Sequence, residues 1–327
     1  MVRVGILSSA HLHVWSYVSA LKAHPQAEVI GAWDDEVERG ETFAQQSGIP
    51  FVGYLENLLD AVDAVVIVSE NKRHAEMAEW AAKAGKHILC EKPLVTTNEE
   101  ADRMRRAVEA GGVKLMTAFP CRYSPAYTRL KERVAAGEIG KIRAVCATNH
   151  GRCPFSWFVE TEKSGGGALV DHVVHVGDLL RDLLQADPVR VTAQTGHNMY
   201  GQDWDDTAMA TLEFPDGVFA TIDSSWSRPP SYKTWGDVTL NVVGDEGVIE
   251  LDMFGQEVQH YRTGQPTHVV AGYGSNMDAL LVDDFVRCCL GEREVAVSME
   301  DGIQASRIFM AGYRSVEEVQ PISLSAG

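Results

Sequence analysis

The chain has 327 residues, of which 45% are hydrophobic and 23% are charged. This composition is typical of a globular protein and excludes a disordered chain or a collagen-like repeat, and the length suggests about two domains. The 29 Lys and Arg residues against 46 Asp and Glu residues give a formal net charge of −17, which disfavours nucleic acid and anionic membranes as partners because both are polyanions.

Membrane insertion and export are also not expected from the sequence. No apolar run approaches the about 18–20 residues that a membrane span needs, and the sequence enters a strand-like pattern directly after Met1. The six cysteines include the adjacent pair Cys288 and Cys289 but no C-x-x-C spacing, which is typical of reduced, inert thiols and not of a disulfide framework. We therefore expect a cytoplasmic protein.

Over the first 120 residues, short apolar runs alternate with segments of helical periodicity. Leu12, Trp15, Val18 and Leu21 share one face of a helix, and the run at 61–68 is apolar on both faces, as in a strand inside a parallel sheet. The strands predicted in this way are Val2–Leu7, Glu28–Trp33, Ala61–Val68, His87–Cys90 and Val113–Ala118, and the helices are His11–His24, Glu36–Ser47, Lys72–Ala84 and Asn98–Ala110. Such alternation predicts a parallel sheet that is covered by helices on both faces.

After about residue 120 the hydrophobic period changes. A helix at Ser124–Ala136 and a strand at Lys141–Thr148 are followed, from Val189 onward, by segments with a period of two. We expect the next three strands to be neighbours in an antiparallel sheet with one solvent-facing side, in a second domain over 121–327. These strands are Thr207–Phe214, Gly217–Ser227 and Asp237–Val243, and helices at Asn276–Leu290 and Met299–Val316 close the chain.

The first strand, turn and helix form the setting of a dinucleotide-binding fingerprint. The G-x-G-x-x-G pattern would fall on residues 8–13, where Ser8, Ala10 and His13 replace the three glycines. Asp34 ends the second strand, 21 residues after His13, at a position where a carboxylate accepts the ribose hydroxyls of NAD. Because a second aspartate follows and no Arg or Lys occurs until Arg39, we expect NAD to be favoured over NADP. An ordinary βα turn, with Asp34 as a helix N-cap, is the alternative.

Three further residues have types and positions that suit catalysis. Asp171 and His175 share a helix face, and a carboxylate beside an imidazole fixes its tautomer and raises its basicity, as a general base requires. Lys92 ends a predicted strand, where ligands of open α/β sheets bind, and can stabilise negative charge that develops on a substrate oxygen. A metal site that adds His172 and Asp178 to the helical pair, polar residues lining a helix start and a surface lysine are the alternatives.

Three strings carry a resemblance to a known family. They are SENKRH at 69–74, AGKHILCEKP at 84–93 and GGGALVDHVVH at 165–175. With the rest of the chain, they resemble the glucose–fructose oxidoreductase, inositol 2-dehydrogenase and rhizopine catabolism family, known as Gfo/Idh/MocA. The chain departs from the family pattern in the lost glycine fingerprint and at Val173, where glycine is common.

The resemblance implies a Rossmann domain, a doubly wound parallel sheet, over 1–120 and a C-terminal α/β domain with a mostly antiparallel sheet over 121–327. It implies an NAD(P)-dependent oxidoreductase that acts on a sugar, a polyol or a related cyclic hydroxyl compound. His175 takes the hydroxyl proton while the adjacent C–H gives a hydride to the nicotinamide, Lys92 hydrogen-bonds the reacting oxygen and can share the proton relay, and Asp171 orients His175. The implied cofactor-binding residues are Ser8, Ala10, His11, Leu12, Asp34, Ser69, Asn71, His74, Glu91 and Lys92, and the implied substrate-binding residues are Arg122, Tyr123, Trp157, Asp171 and His175.

The same family analogy implies a homodimer or homotetramer. No metal is assigned, since His11 and His13 are two residues apart and residues at that spacing do not share a helix face. Three other functions stay open: a glycoside-cleaving or epimerising enzyme that recycles its NAD internally, a non-catalytic NAD-binding regulator, and a metal-dependent enzyme. The presence of Lys92, Asp171 and His175 argues against the regulator.

Overall fold

The computed structural model describes residues 1–260, 263, 269–272 and 274–324. Its helices, numbered in chain order, are α1 (Val14–Ala23), α2 (Val37–Ser47), α3 (Leu55–Ala61), α4 (His74–Lys83), α5 (Asn98–Gly111), α6 (Pro125–Ala135), α7 (Thr161–Ser164), α8 (Ala168–Leu184), α9 (Met277–Cys289) and α10 (Met299–Glu318). Its strands are β1 (Val2–Leu7), β2 (Ala27–Trp33), β3 (Ala64–Ile67), β4 (His87–Cys90), β5 (Leu115–Thr117), β6 (Ile142–Gly151), β7 (Arg190–Gly196), β8 (Thr207–Glu213), β9 (Phe219–Ser225), β10 (Gly236–Gly244), β11 (Val248–Asp252), β12 (Glu257–His260), β13 (Val269–Gly272) and β14 (Ile322–Ser323).

The chain groups into two compact units. The first contains Met1–Pro120, Glu160–Gly165 and Met277–Arg307, and the second contains Cys121–Val159, Gly166–Asn276 and Ile308–Gly327. The change of unit at residue 120 coincides with the change in hydrophobic period. Two later segments that the sequence analysis placed in the second domain group with the first unit, and α9 does so because it packs against α1.

A five-stranded parallel sheet forms the centre of the first unit. The strand order is β2-β1-β3-β4-β5, and each neighbouring pair is parallel. All four residues of β3 are buried, as expected for a strand inside such a sheet. Since the carboxyl ends of parallel strands lie at one edge of a sheet, the residues that follow β1, β2 and β4 line a common edge. The doubly wound sheet predicted from the alternation is confirmed.

The structure corrects one prediction in this sheet. The strand expected over Ala61–Val68 spans Ala64–Ile67, and Ala61 is the last residue of α3, a helix that was not predicted. Leu58 and Leu59 are the buried residues of this helix, so its short apolar face packs against the unit while the helix links two strands. A seven-residue helix contains too few periods to be separated from a neighbouring apolar run by periodicity alone.

The second unit is built on a mostly antiparallel sheet of seven strands. Their order is β11-β10-β6-β9-β8-β7-β14, and β6 with β9 is the parallel pair. The antiparallel pairing expected between the segments that form β8 and β9 is confirmed. The expected pairing of β9 with β10 is wrong, because β6 lies between them, parallel to β9 and antiparallel to β10. Alternation identifies a strand and its buried face, but it does not specify the neighbouring strand.

The long helix α8 covers one face of this second sheet. It contacts β6, β8 and β9, and its buried positions include Leu169, Val173, Val176 and Leu180. The spacing of these apolar residues is that of an amphipathic helix. The register of α8 on the sheet therefore fixes where Asp171 and His175 lie.

Among the described residues, we find no helix with the length and apolar character that crossing a bilayer requires.

Candidate active site

The turn after β1 follows a glycine-like path without containing glycine. Ser8 has a φ of 67°, in the left-handed region that favours glycine. Its hydroxyl accepts hydrogen bonds from the backbone N–H of Ala10 at 3.3 Å and from Arg39 Nη2 at 3.2 Å, while His11 N donates to Val68 O at 2.9 Å. Hydrogen bonds therefore hold the turn in a conformation that glycine adopts without steric cost.

The Asp34 carboxylate, which follows β2, is buried and accepts several hydrogen bonds. Oδ2 accepts from Ser9 N at 2.8 Å, Ser9 Oγ at 2.7 Å and Arg39 Nε at 3.0 Å, and Oδ1 accepts from Arg39 Nη2 at 2.6 Å and Glu36 N at 3.0 Å. Burial acts to raise the pKa of Asp34, but the hydrogen bonds from Arg39 and Ser9 lower it below its usual value. Asp34 thus positions Ser9 and Arg39. A ribose hydroxyl can donate to the Asp34 carboxylate only by replacing a hydrogen bond from one of these donors.

Arg39 supplies positive charge beside Asp34 and is itself surrounded by carboxylates. Its guanidinium lies 3.0 Å from Glu70 Oε1, 3.2 Å from Glu36 Oε1 and 3.3 Å from Asp35 Oδ1. A cleft of about 630 Å³ opens at this position, and its lining includes Ser9, Trp15, Glu36, Arg39 and Phe43. The polar end of this cleft has an excess of negative charge over positive charge.

The segment 69–74 supports the residues that follow β4. His74 is fully buried, with Nδ1 2.8 Å from Pro93 O and Nε2 3.3 Å from Ser69 O, and burial lowers the pKa of His74. Asn71 Nδ2 donates to Ser164 O at 2.8 Å. His74 therefore links the backbone that follows β3 to the backbone that follows β4. Lys92, which is 3% exposed, directly precedes Pro93, whose carbonyl oxygen His74 contacts.

Glu91 is fully buried at the carboxyl end of β4 and faces two imidazoles. Its Oε1 lies 2.8 Å from His13 Nδ1 and 3.7 Å from His11 Nδ1, and its Oε2 accepts the backbone N–H of Lys92 at 3.0 Å. Burial acts to raise the pKa of Glu91, but His11 and His13 hold it well below its usual value. Glu91 is therefore an ionised carboxylate in a buried position, which requires positive charge beside it.

The second unit holds the start of α8 by close packing. A Cβ at Gly166 would overlap the Tyr313 hydroxyl, and a Cβ at Gly167 would overlap the backbone oxygen of Asp205. Tyr313 donates to Asp205 Oδ1 at 2.8 Å, and the Asp205 carboxylate accepts the backbone N–H groups of Gly167 at 3.0 Å and Leu169 at 2.7 Å. The glycines thus let two distant side chains reach the helix start and satisfy N–H groups that a helix leaves without partners.

Asp171, in the first turn of α8, is held by a buried tryptophan. Trp226 Nε1 donates to Asp171 Oδ2 at 2.9 Å, and His172 Nε2 lies 3.3 Å from the same oxygen. Trp226 is fully buried in a cluster with Cys153, Ala168 and Trp204. An indole N–H donates only, so this contact fixes the orientation of the carboxylate and keeps one lone pair of Oδ2 occupied.

His175 lies one turn after Asp171 and has a thiol as its neighbour. Its Nδ1 is 4.0 Å from Cys121 Sγ, within the range of a hydrogen bond to sulfur. The sequence analysis interpreted the cysteines as inert and expected Asp171 to orient His175. Asp171 contacts Trp226 and His172, and Cys121 lies beside the His175 ring. The orienting role of Asp171 and the role of His175 as the base stay predictions.

Two of the predicted substrate contacts have structural partners. Arg122 Nε and Nη2 donate to the two oxygens of Asp178 at 2.7 and 2.6 Å, and this aspartate is buried. Trp157 is buried and stacks on Phe158 with ring centroids 3.9 Å apart. The ion pair also engages the Asp178 carboxylate of the alternative metal site. Arg122 and Trp157 as substrate contacts stay predictions. Tyr123 is partly exposed.

Comparisons with known proteins agree with this arrangement of domains. Residues 4–119 match the model of the oxidoreductase family with an NAD-binding Rossmann fold, and residues 127–250 match that of the GFO/IDH/MocA C-terminal domain. The chain belongs to the Gfo/Idh/MocA family. The fold class expected from the resemblance is confirmed, and the first unit contains an NAD-binding Rossmann domain of an oxidoreductase.

Proteins of named activity are among the similar chains. The chain is 31% identical over 257 residues to 1,5-anhydro-D-fructose reductase of Ensifer adhaerens, covering 76% of this chain and 74% of that protein. It is 30% identical over 299 residues to scyllo-inositol 2-dehydrogenase (NAD(+)) of Bacillus subtilis (strain 168), covering 87% and 80%. The crystal structure of GenD2 from gentamicin A biosynthesis in complex with NAD has the same fold, with a TM-score of 0.89 at 24% identity over 99% of this chain and 97% of that one.

Sequence reasoning missed the residues that hold the site from a distance. Arg39 was noted as the first cation after Asp34, but its ion pair with that aspartate was not predicted. Trp226 stands in a strand-like segment where an indole looks like ordinary core, and Tyr313 is far from the glycine run that it contacts. The run of three glycines at 165–167 was the available signal for such a contact, because glycines in a row indicate that another group lies close to the backbone there.

Proposed function

We propose that the chain is an NAD-dependent dehydrogenase that oxidises a hydroxyl group of a sugar, a polyol or a related cyclic compound. Family membership and the two relatives that act on an anhydro sugar and an inositol support this substrate class. The observation that carries the proposal is the buried Lys92 beside the buried, ionised Glu91 at the carboxyl end of β4, in an NAD-binding domain.

The first unit fits a dinucleotide despite the missing glycines. Ser8 takes the left-handed conformation that favours glycine, at the first glycine position of the fingerprint. Ser8 and Ala10 have small side chains, which leave room for a pyrophosphate near the turn. NAD, when bound, supplies the hydride acceptor at C4 of its nicotinamide.

The residues of the chain then have defined roles at the substrate hydroxyl. His175 accepts its proton as a general base, and Lys92 donates a hydrogen bond to the same oxygen, which stabilises negative charge as the C–H bond breaks. Trp226 holds Asp171, and Asp171 contributes a carboxylate to the face of α8 that carries His175.

We also propose that NAD is preferred over NADP. Arg39 is the positive group beside the predicted ribose position, but Asp34, Asp35, Glu36 and Glu70 surround it. A 2′-phosphate carries negative charge and meets this excess of carboxylates, whereas a ribose hydroxyl does not. The cytoplasmic location and the homodimeric or homotetrameric state remain predictions from the sequence.

Thermal-shift measurements with NAD, NADH, NADP and NADPH, followed by a panel of sugars and polyols read by NADH absorbance, test the proposal. We expect the largest stabilisation with NAD or NADH and NADH formation with at least one cyclic polyol or sugar. Substrate conversion without net NADH identifies the internally recycled cofactor instead. Tight NAD binding with no conversion across the whole panel contradicts the dehydrogenase and supports the regulator.

A further inference from the structure

Three metal-ligating side chains of the first unit converge in a place that the sequence did not predict. His11 and His13 lie in the turn before α1, and Glu91 follows β4. One ligand atom from each lies within 4.8 Å of the other two. The rule that residues two apart point to different faces applies to a helix, but α1 begins only at Val14, so both rings can turn to the same side.

The distances are close to those around a bound ion. Tetrahedral Zn²⁺ with bonds of about 2.0–2.1 Å keeps its ligand atoms about 3.4 Å apart. The distance from His13 Nδ1 to Glu91 Oε1 is 2.8 Å, and the distance from His11 Nδ1 to Glu91 Oε1 is 3.7 Å. To bind the ion, the His13–Glu91 distance has to lengthen and the His11–Glu91 distance has to shorten, each by a small amount. His11 Nδ1 accepts the His13 backbone N–H at 3.2 Å, and this hydrogen bond has to be exchanged for the metal bond.

Charge and access also suit a cation. Glu91 is fully buried and faces two imidazoles, with Oε1 2.8 Å from His13 Nδ1 and 3.7 Å from His11 Nδ1. Its second oxygen accepts the Lys92 backbone N–H, a contact of the kind that orients ligating carboxylates. The His13 side chain is 34% exposed, which gives an ion an entry path and leaves room for a further ligand such as water.

We propose that His11, His13 and Glu91 form a binding site for a divalent transition-metal ion of the Zn²⁺ class. Two imidazole nitrogens and one carboxylate oxygen suit Zn²⁺, Co²⁺ or Ni²⁺ and not Mg²⁺ or Ca²⁺, which prefer oxygen ligands throughout. All three ligands belong to the first unit, and His11 and Glu91 are also among the residues expected to bind the cofactor. Metal binding is therefore measured without NAD, and its readout does not require dehydrogenase activity.

Titration of the metal-free full-length chain with Co²⁺, followed by visible absorption, tests the site. We expect one equivalent of Co²⁺ to produce ligand-field bands of a low-coordinate nitrogen and oxygen site, and one equivalent of Zn²⁺ to remove them. Binding should have a Kd of about 1 µM or tighter at neutral pH. The His13→Ala variant should lose at least ~100-fold in affinity, since it removes a direct ligand at a partly exposed position.

The His24→Ala variant is the matched control. His24 lies in the same unit and pairs with Asp283 at 3.2 Å, away from the three ligands, so its substitution should leave the bands unchanged. Glu91→Gln should abolish them, and circular dichroism shows whether that variant is folded. The proposal is overturned if the wild-type chain gives no bands, or if His13→Ala binds Co²⁺ as tightly as the wild type. NAD binding by the metal-free protein is measured separately and tests only the proposed function.

Discussion

The carboxylates at the sheet edge of the first unit and the start of α8 in the second unit are held by different physical means. In the first unit, ion pairs and side-chain hydrogen bonds link Asp34 with Arg39 and Glu91 with His13. In the second unit, close packing at Gly167 and a neutral donor from Trp226 fix the start of α8. Side chains in a charged network can exchange hydrogen-bond partners when a charged ligand binds, whereas a closely packed backbone segment cannot shift without steric overlap. We therefore expect the first unit to adapt to its cofactor and the second to present its base in a fixed position.

The largest expected effect comes from removing the reacting groups, one in each unit. Lys92→Ala and His175→Ala should each lower turnover by ~10²-fold or more, because each removes a hydrogen bond or proton transfer made in the transition state. NAD affinity should change little in His175→Ala. Steady-state kinetics with NAD titration measure both quantities.

Controls keep this result specific to the site. Lys83→Ala removes an exposed lysine at the end of α4 in the first unit, and His197→Ala removes an exposed histidine of the second unit that follows β7. Neither should lower turnover more than about twofold, in line with surface substitutions in general. Near-normal rates in both Lys92→Ala and His175→Ala would remove the catalytic assignment.

Gly167→Ala tests the packed start of α8. The added Cβ overlaps the backbone oxygen of Asp205, so the helix start has to shift, at a cost of about 2 kcal/mol in unfolding free energy. Turnover should fall as well, because Asp171 and His175 follow on the same helix. Urea unfolding and kinetics measure the two effects. Gly53→Ala is the control, since nothing lies within 4 Å of its added Cβ, and a loss of similar size there would show that packing at Gly167 is not the cause.

Sequence patterns predicted the elements of both units better than they predicted the partners of the site residues. The apolar run of β3 and the alternation in β8 depend on the local chain, and both strands lie within the segments expected for them, although β3 begins three residues later. The position of β6 between β9 and β10 depends on pairing between distant segments, which alternation does not specify. The same holds for the site residues. The residue types of Lys92 and His175 were enough to predict catalytic roles for them. The contacts of Arg39 with Asp34 and of Cys121 with His175 are set by the packed fold, so they were not predicted.

Arg39→Gln tests the charged network of the first unit. The substitution removes the positive charge that pairs with Asp34, so a 2′-phosphate loses an attractive partner in this group of carboxylates, and the Asp34 oxygens can accept ribose hydroxyls in place of Arg39. We expect the ratio of the NADP to the NAD dissociation constant to rise by about tenfold, or ~1.4 kcal/mol. Calorimetric titration with both nucleotides gives the ratio.

The control for Arg39 is another paired arginine of the first unit. Arg103 donates to both oxygens of Glu79 at 2.8 and 2.7 Å, so Arg103→Gln also breaks a two-point ion pair but leaves the turn after β1 unchanged. Its nucleotide ratio should equal that of the wild type. An unchanged ratio in Arg39→Gln would mean that the ribose end of the nucleotide is recognised by other residues.

Ser8→Gly is expected to have the smallest effect on the free energy of unfolding. It also gives the most direct comparison of the hydrogen-bonded turn in the first unit with the packed start of α8 in the second unit. Glycine relieves the left-handed backbone strain of Ser8, worth about 1–2 kcal/mol, but it removes the hydroxyl that accepts from Ala10 and Arg39 and adds chain entropy to the unfolded state. These terms oppose each other, so the unfolding free energy should change by less than about 1 kcal/mol. Adding one methyl group at Gly167 therefore costs more than removing a whole hydroxymethyl group at Ser8. A Ser8→Gly loss as large as that of Gly167→Ala, in parallel urea titrations, would show that the first turn is also held by an obligatory contact and not by exchangeable hydrogen bonds.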